Sequence, residues 1–313
     1  MLGKTAGGLF WMFRYLERSE NTVRLLDAGF RIALTRSTVA QNEWESVVTT
    51  AGVHQQFRER HDSYNAVNVI DFLLRDNGNP SSVISVVNTA RNNARLVRTA
   101  LTREVWEAVN ECWLTLQSAL GRPVREKELP DTLASIRQQS ALVRGALHGT
   151  MLRNEIYNFA RLGTFIERAD NTARILDVKY YLLLPSVSLV GSPLDNAQWE
   201  TILRCVSANH AYRWLNGGDI NPTGIVDFLI LDRRMPRSLA FCYAKIMDNL
   251  GYLAQDYGEE HACHLQADAT LSRLNGSSVG SIMETGLHEF LGDFLQDNNR
   301  LGALIEEDYR FCD

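Results

Sequence analysis

Glu17-Arg18 and Glu167-Arg168 are the pairs in this chain whose residue types and surroundings could do chemistry. A carboxylate beside a guanidinium can exchange a proton when neighbouring charges tune its pKa, and the guanidinium can grip a carboxylate or phosphate through parallel N–H bonds. The two pairs share their context. Residues 15–27 read Tyr-Leu-Glu-Arg-Ser-Glu-Asn-Thr-Val-Arg-Leu-Leu-Asp, and residues 165–177 read Phe-Ile-Glu-Arg-Ala-Asp-Asn-Thr-Ala-Arg-Ile-Leu-Asp. Glu17 and Glu167 are 150 residues apart in a chain of 313, and self-similarity at such a spacing marks a repeated structural unit. The candidate binding residues in the first copy are Arg14, Glu17, Arg18, Asn21 and Arg24. In the second they are Glu167, Arg168, Asn171 and Arg174.

The elements that carry these residues read as helices. Thr5 to Leu34 lacks proline and places Met12, Leu16, Val23, Leu26 and Phe30 at helical intervals, with Thr5 as the expected N-cap. The matching segment runs from near Arg153 to Leu184 and is expected to stop at Pro185. A shorter helix with Trp-Glu follows each, at Trp44-Glu45 and Trp199-Glu200. The repeat continues at Ile70-Asp71-Phe72-Leu73 and Val226-Asp227-Phe228-Leu229, where the offset from Asp71 to Asp227 has grown to 156. The six added residues fit best in the loop Pro185–Pro193, since loops accept insertions at least cost. Further helices are expected over 82–101, 103–120, 131–147, 237–253, 261–274 and 279–311. With no segment of sustained two-residue alternation, the fold class is all-α. The expected form is an internally duplicated helical bundle, residues 1–148 and 149–313, whose pseudo-symmetric halves share an interface.

The doubled motif admits two roles. On a helical wheel Tyr15, Leu16, Ser19, Val23 and Leu26 share one side and Arg14, Glu17, Asn21 and Arg24 the other. Glu20/Arg24 and Asp27/Arg31 could then be i,i+4 pairs on a wet face, each worth ~0.3–0.5 kcal/mol. Yet Glu, Arg, Asn, Thr, Arg and Asp of the motif are identical between copies while Leu becomes Ile, Val becomes Ala and Tyr becomes Phe. A solvated face should drift faster than that. The residues therefore either pair across the junction of the halves, as buried charges do, or hold a ligand. Glu17 and Glu167 acting as acid and base in a cleft between the halves is the catalytic alternative.

Arg91, Arg95 and Arg98 form a basic stripe, matched in the second copy by Met247, Gly251 and Ala254. The shared fold does not need the stripe, so it is a candidate anion or partner site; the plainer reading pairs it with Glu104 and Glu107. Glu259 to His264 holds metal-ligand residue types without ligand spacing, so no metal is assigned, and Glu284/His288 reads as a surface pair. Walker-type loops, nucleophile elbows and reactive-cysteine patterns are absent, and no cofactor is expected. The six tryptophans read as core or interface anchors.

Composition narrows the classes further. A net charge of −5 argues against a nucleic-acid partner, and 45% hydrophobic with 22% charged residues is the make-up of an ordinary globular chain. Leu9 to Phe13 is cut short by Arg14, so neither a signal core nor a membrane span is expected. Five cysteines without Cys-x-x-Cys spacing suit a reducing, cytoplasmic setting.

The residues Arg14–Thr22, Ala90 to Arg95, Trp106-Glu107, Gly163–Asp177 and Asp227-Phe228-Leu229 resemble the alpha-E domain family across essentially the whole chain. Phe13 departs from it, standing where the family usually has glycine; Gly163 keeps the glycine in the second copy. The resemblance implies an uncharacterised helical domain that accompanies circularly permuted ATP-grasp proteins, sometimes beside transglutaminase-like and peptidase proteins. It thereby implies a role in ATP-dependent peptide synthesis or modification. The expectation is a non-catalytic binding or scaffold protein for an ATP-grasp ligase, gripping a peptide or amino acid.

Overall fold

The computed structural model describes residues 1–35, 40–182 and 193–312. Among them every regular element is helical. The first half contains α1 (Gly3–Thr35), α2 (Ala40–Thr50), α3 (His54–Arg58), α4 (Ala66–Leu74), α5 (Val83–Leu96), α6 (Arg103–Ala119) and α7 (Leu129–Thr150). The second contains α8 (Glu155–Leu182), α9 (Pro193–Cys205), α10 (Asn209–Leu215), α11 (Pro222–Ile230), α12 (Leu239–Tyr257), α13 (Ala262–Gly276), α14 (Val279–Thr285) and α15 (Leu287–Asp308).

The long helices α1 and α8 form the central pair and pack on each other more extensively than any other two elements. Around α1 lie α5 and α7, bridged by α6; around α8 lie α12 and α15, bridged by α13. The short helices cross over, with α2 reaching α8 and α9 reaching α1. This exchange knits one continuous core through Leu9, Phe10, Met12, Phe165, Ile166 and Leu176. Each such side chain contributes about 1.5–3 kcal/mol by leaving water.

Local chemistry sets the helix starts. Asn65 and Asn221 accept from the Asn68 and Thr223 backbone N–H groups, capping α4 and α11. Ser82 and Ser238 accept from the Ser85 and Phe241 N–H groups, capping α5 and α12. A side-chain oxygen at these positions satisfies a donor that the helix itself leaves orphaned.

Several expectations are corrected. Thr5 is not a cap: its N–H already donates to the Leu2 carbonyl at 2.9 Å inside the first turn. The helix expected over 279–311 breaks at Gly286, whose φ of 105° lies where only glycine is unstrained. Glu284 and His288 therefore sit on different helices, and His288 meets Asp177 at 2.6 Å instead. Trp44 and Trp199 are buried, whereas Trp214 on α10 is 80% exposed and anchors no core. The stop at Pro185 and the proposed insertion fall in residues 183–192, outside those described.

Candidate functional site

The α1–α8 crossing is tight because α8 presents a glycine to α1. A Cβ on Gly163 would stand 2.1 Å from the Phe10 carbonyl oxygen, so only hydrogen fits there. Phe13, its counterpart in α1, is buried in the same contact region. Close approach at this point sets the two Glu-Arg pairs face to face, about one turn further along α8 and two along α1.

The pairing is reciprocal. Arg168 donates Nε to Glu17 Oε1 at 2.9 Å and Nη2 to Oε2 at 3.0 Å. Arg18 donates Nε to Glu167 Oε1 at 2.5 Å and Nη2 to Oε2 at 2.9 Å, and Arg14 adds Nε at 3.0 Å. Two-pronged forks of this kind are the strongest and most directional ion pairs available to side chains. Arg237, at the start of α12, sits 3.1 Å from Glu17 and donates to Glu20 at 2.9 Å.

Burial alone would raise the Glu17 pKa; Arg168, Arg237 and Arg144 outweigh it and hold the carboxyl well below the usual range. Glu167 is likewise lowered, burial being outweighed by Arg18 and Arg14. For Glu20, burial and the Glu17 charge oppose ionisation, while Arg237, Arg24 and Arg144 prevail and lower it. Burial pushes Arg237 down to about 10, which leaves it cationic at neutral pH. Glu17, Glu20, Glu167 and Arg168 are all buried. The wet-face reading of the motif is therefore wrong, although the i,i+4 pairs it foresaw exist: Glu20–Arg24 at 2.6 Å and Asp27–Arg31 at 3.1 Å. The wheel failed because Arg14 and Glu17, on the side it marked as polar, meet Glu167 and Arg168 of α8.

The motif asparagines are less settled than a fully satisfied network would be. Asn21 accepts from Arg237 at 3.3 Å, yet the amide nitrogens of both Asn21 and Asn171 are buried without a hydrogen-bond partner among the described residues.

Beside this lock opens a cleft of about 680 Å³ between α1, α7, α9 and α10. Arg24, Arg31, Arg137, Arg144 and Arg204 line it with Glu20, Asp27, Ser207, Asn209 and His210. Arg144 pairs with Glu20, Arg137 with Asp27 at 3.1 Å, and Arg204 with Glu200 at 2.7 Å. Arg24 also donates to the Ser207 hydroxyl at 2.5 Å, and Ser207 has a φ of 54°.

The sequence profile of the Alpha-E family, described as a predicted alpha-helical domain with a conserved ER motif, matches residues 1–309. The chain belongs to the Alpha-E family. Uncharacterised proteins of Mycobacterium bovis and Mycobacterium tuberculosis are each 21% identical to it, over 92% of this chain and 34% of theirs. The chain thus spans about a third of the length of these relatives. No solved structure matches.

Of the residues singled out in this Alpha-E chain, Arg14, Glu17, Arg18, Glu167 and Arg168 meet in the lock, and Arg24 lies between the lock and the cleft. Arg174 instead pairs with Asp170 at 2.7 Å on the far side. Arg91, Arg95 and Arg98 do not share one helix face. α5 ends at Leu96, and Arg98 sits in a short 3-10 turn with its guanidinium over the Trp106 ring. Arg91 donates to Asn110 at 2.9 Å, not to Glu104 or Glu107. None of the three lines the cleft.

Sequence reasoning missed Arg237, Arg144, Arg137 and Arg204. For Arg237 a signal existed: it stands where the first copy has Ser81, directly after the matched prolines Pro80 and Pro236. An added charge inside an aligned, capped segment is worth following. Among the described residues no group of three or more His, Cys, Asp and Glu side chains is placed to hold a metal, and no helix is long and apolar enough to cross a membrane. His264 uses its Nδ1 on the His261 N–H and its Nε2 on the Leu250 carbonyl, so its ring caps and ties α13. Cys112, Cys205, Cys242 and Cys263 are buried free thiols; Cys312 is exposed.

Proposed function

We propose that the chain is an internally duplicated, non-catalytic helical protein that binds or scaffolds for an ATP-grasp ligase in peptide synthesis or modification. Transglutaminase-like or peptidase proteins are further partners in this reading. The observation that carries the non-catalytic part is the lock. A general base needs a pKa near the working pH and a lone pair turned toward substrate. Glu17 and Glu167 instead keep both oxygens in guanidinium forks and are held ionised by them. Their chemistry is that of a clamp. Duplication is supported by the repeated motif, by its reciprocal pairing and by the matched caps Asn65/Asn221 and Ser82/Ser238, both 156 residues apart. The ATP-grasp partner comes from the family resemblance, and the peptide or amino-acid ligand follows from that partner.

The test is an assay of the ATP-grasp protein from the same source with and without this chain, joined to co-purification of the two. Ligation rate or substrate affinity should change on addition, and the isolated chain should turn over neither ATP nor peptide. Turnover by the isolated chain that Glu17→Gln abolishes would overturn the reading and make Glu17 a catalytic group.

A further inference from the structure

The cleft beside the lock carries more cationic charge than its structural duties use. Five arginines line it against two carboxylates, in a chain whose net charge is −5. Asp27 takes Arg31 on one oxygen and Arg137 on the other; Glu20 takes Arg24 and Arg237 on one oxygen and Arg144 on the other. The acids are thereby saturated. Arg31, Arg137 and Arg144 each commit a single nitrogen to these acids, and Arg204 one nitrogen to Glu200. A guanidinium offers five N–H donors in a planar fork, so each keeps donors for another acceptor.

The fold does not require all of these cations. At the motif offset of 150 Arg31 is matched by Tyr181, and at the Trp44/Trp199 offset of 155 Arg204 is matched by Thr49. Arg24 has a counterpart in Arg174, but the backbone position beside it differs. Gly52, with φ 73°, lies next to Arg174; Ser207, with φ 54°, lies next to Arg24 and places its hydroxyl on the guanidinium. A side chain held in that strained backbone region is a feature of sites that need a group placed at one point. Among the described residues its apolar lining is small, with Ala28 and Ala141, and it holds no phenylalanine, tyrosine or tryptophan ring. Its volume of about 680 Å³ is that of a small-ligand site.

We propose that this cleft binds a compact ligand bearing two or more carboxylate or phosphate groups, held by Arg31, Arg137, Arg144 and Arg204. The proposal rests on the reading of the chain as a binding protein, but not on the identity of its partner. Carboxylates and phosphates both match the guanidinium fork, and the ligand's source is decided by the probe it resembles.

Isothermal titration calorimetry of the isolated chain with citrate, triglutamate and pyrophosphate tests it, with acetate and trilysine as controls. One-to-one binding is expected for at least one multivalent anion, weakening as salt rises, with none for either control. Preference for citrate or triglutamate assigns a carboxylate ligand; preference for pyrophosphate assigns a phosphate. Arg31→Gln/Arg204→Gln, both half-exposed positions away from the lock, should weaken binding at least tenfold with an unchanged denaturation midpoint. Arg137→Gln should do the same singly, and Arg91→Gln/Arg95→Gln should leave binding intact. Absence of binding to all three anions, or full affinity in Arg31→Gln/Arg204→Gln, overturns the proposal. Co-purification with the ATP-grasp protein is unaffected by that failure, so the two readings fall separately.

Discussion

The two flanks of the Glu-Arg lock use the same motif letters and surround them differently. On the first flank Glu17 and Glu20 are met by Arg168, Arg237, Arg144 and Arg24, and a cleft opens beyond them. On the second flank, among the described residues, Glu167 is met by Arg18 and Arg14, Asp170 by Arg174, and Asp177 by His288. The lock is therefore common ground, while the surplus of guanidinium groups is peculiar to one side. A feature that one flank dispenses with is not dictated by packing the central pair, which is why the cleft and not the motif is the place to look for a ligand.

The comparison breaks most sharply at the two glutamates. Removing one partner of a buried ion pair costs about 3–5 kcal/mol because the remaining charge stays in the interior. Glu17→Ala strands Arg168, which is nearly inaccessible, leaves the equally buried Arg237 with Glu20, and should fall in that range by urea denaturation. Glu167→Ala strands Arg14 and Arg18, the latter 28% exposed and able to reach water, and should cost less. Equal losses in the two variants would show that the flanks do not differ in the way described.

Next in size is the crossing itself. Gly163→Ala drives a methyl into the Phe10 backbone and should destabilise by about 1–3 kcal/mol, as overpacking does. Gly145→Ala in α7, where a Cβ meets nothing within 4 Å, should instead stabilise by about 0.5–1 kcal/mol. A gain of stability in both would show that helix propensity outweighs close approach at Gly163.

Acid should unfold the chain in two stages, the first set by His148 and the second by the lock carboxylates. Burial, reinforced by Arg161, Arg153 and Arg144, pushes His148 down to about 4, so the folded state favours the neutral ring. The unfolded ring protonates near pH 6.5, and stability should decline gently as pH falls from there toward about 4. Glu17, Glu20 and Glu167 have lowered folded values, so their stabilisation is complete above about pH 4.3 and is lost as pH falls below it. His148→Asn should remove the first stage and leave the second, read as urea midpoint against pH. A single transition in both proteins would contradict this.

The smallest effect belongs to the cleft. Arg31→Gln removes an ion pair whose arginine is 54% exposed, and should change stability by no more than about 0.5 kcal/mol. A large loss would mean that the cleft cations hold the fold together after all.

Much of this architecture was legible before any tertiary contact was known. The long helices α1 and α8 and the helices beginning near residues 82 and 237 followed from periodicity and from the repeat. The short helices α3 and α10 did not, because five and seven residues give too few turns to establish a period. The break at Gly286 was read through, since a lone glycine in a helical pattern is compatible with continuation and only its positive φ ends the helix. The candidate site was half visible. Identity between the motif copies flagged Glu17, Arg18, Glu167 and Arg168, but nothing flagged Arg137, Arg144 or Arg204, each of which reads alone as an ordinary surface arginine.

The amino-acid sequence by itself determined that the chain is helical, that one charged motif occurs twice and that its polar letters are held more tightly than its apolar ones. Those are properties of neighbours within a few turns, and helical periodicity records them directly. Only the tertiary structure decided that Glu17 answers Arg168 and Glu167 answers Arg18, and that Arg144 and Arg237 crowd the first flank and not the second. The hydrogen-bonded partners among these are separated by 124 to 217 residues along the chain. The sign and size of a buried charge's energy depend on which opposite charge is within a few ångströms once water has left, and a one-dimensional pattern does not carry that distance.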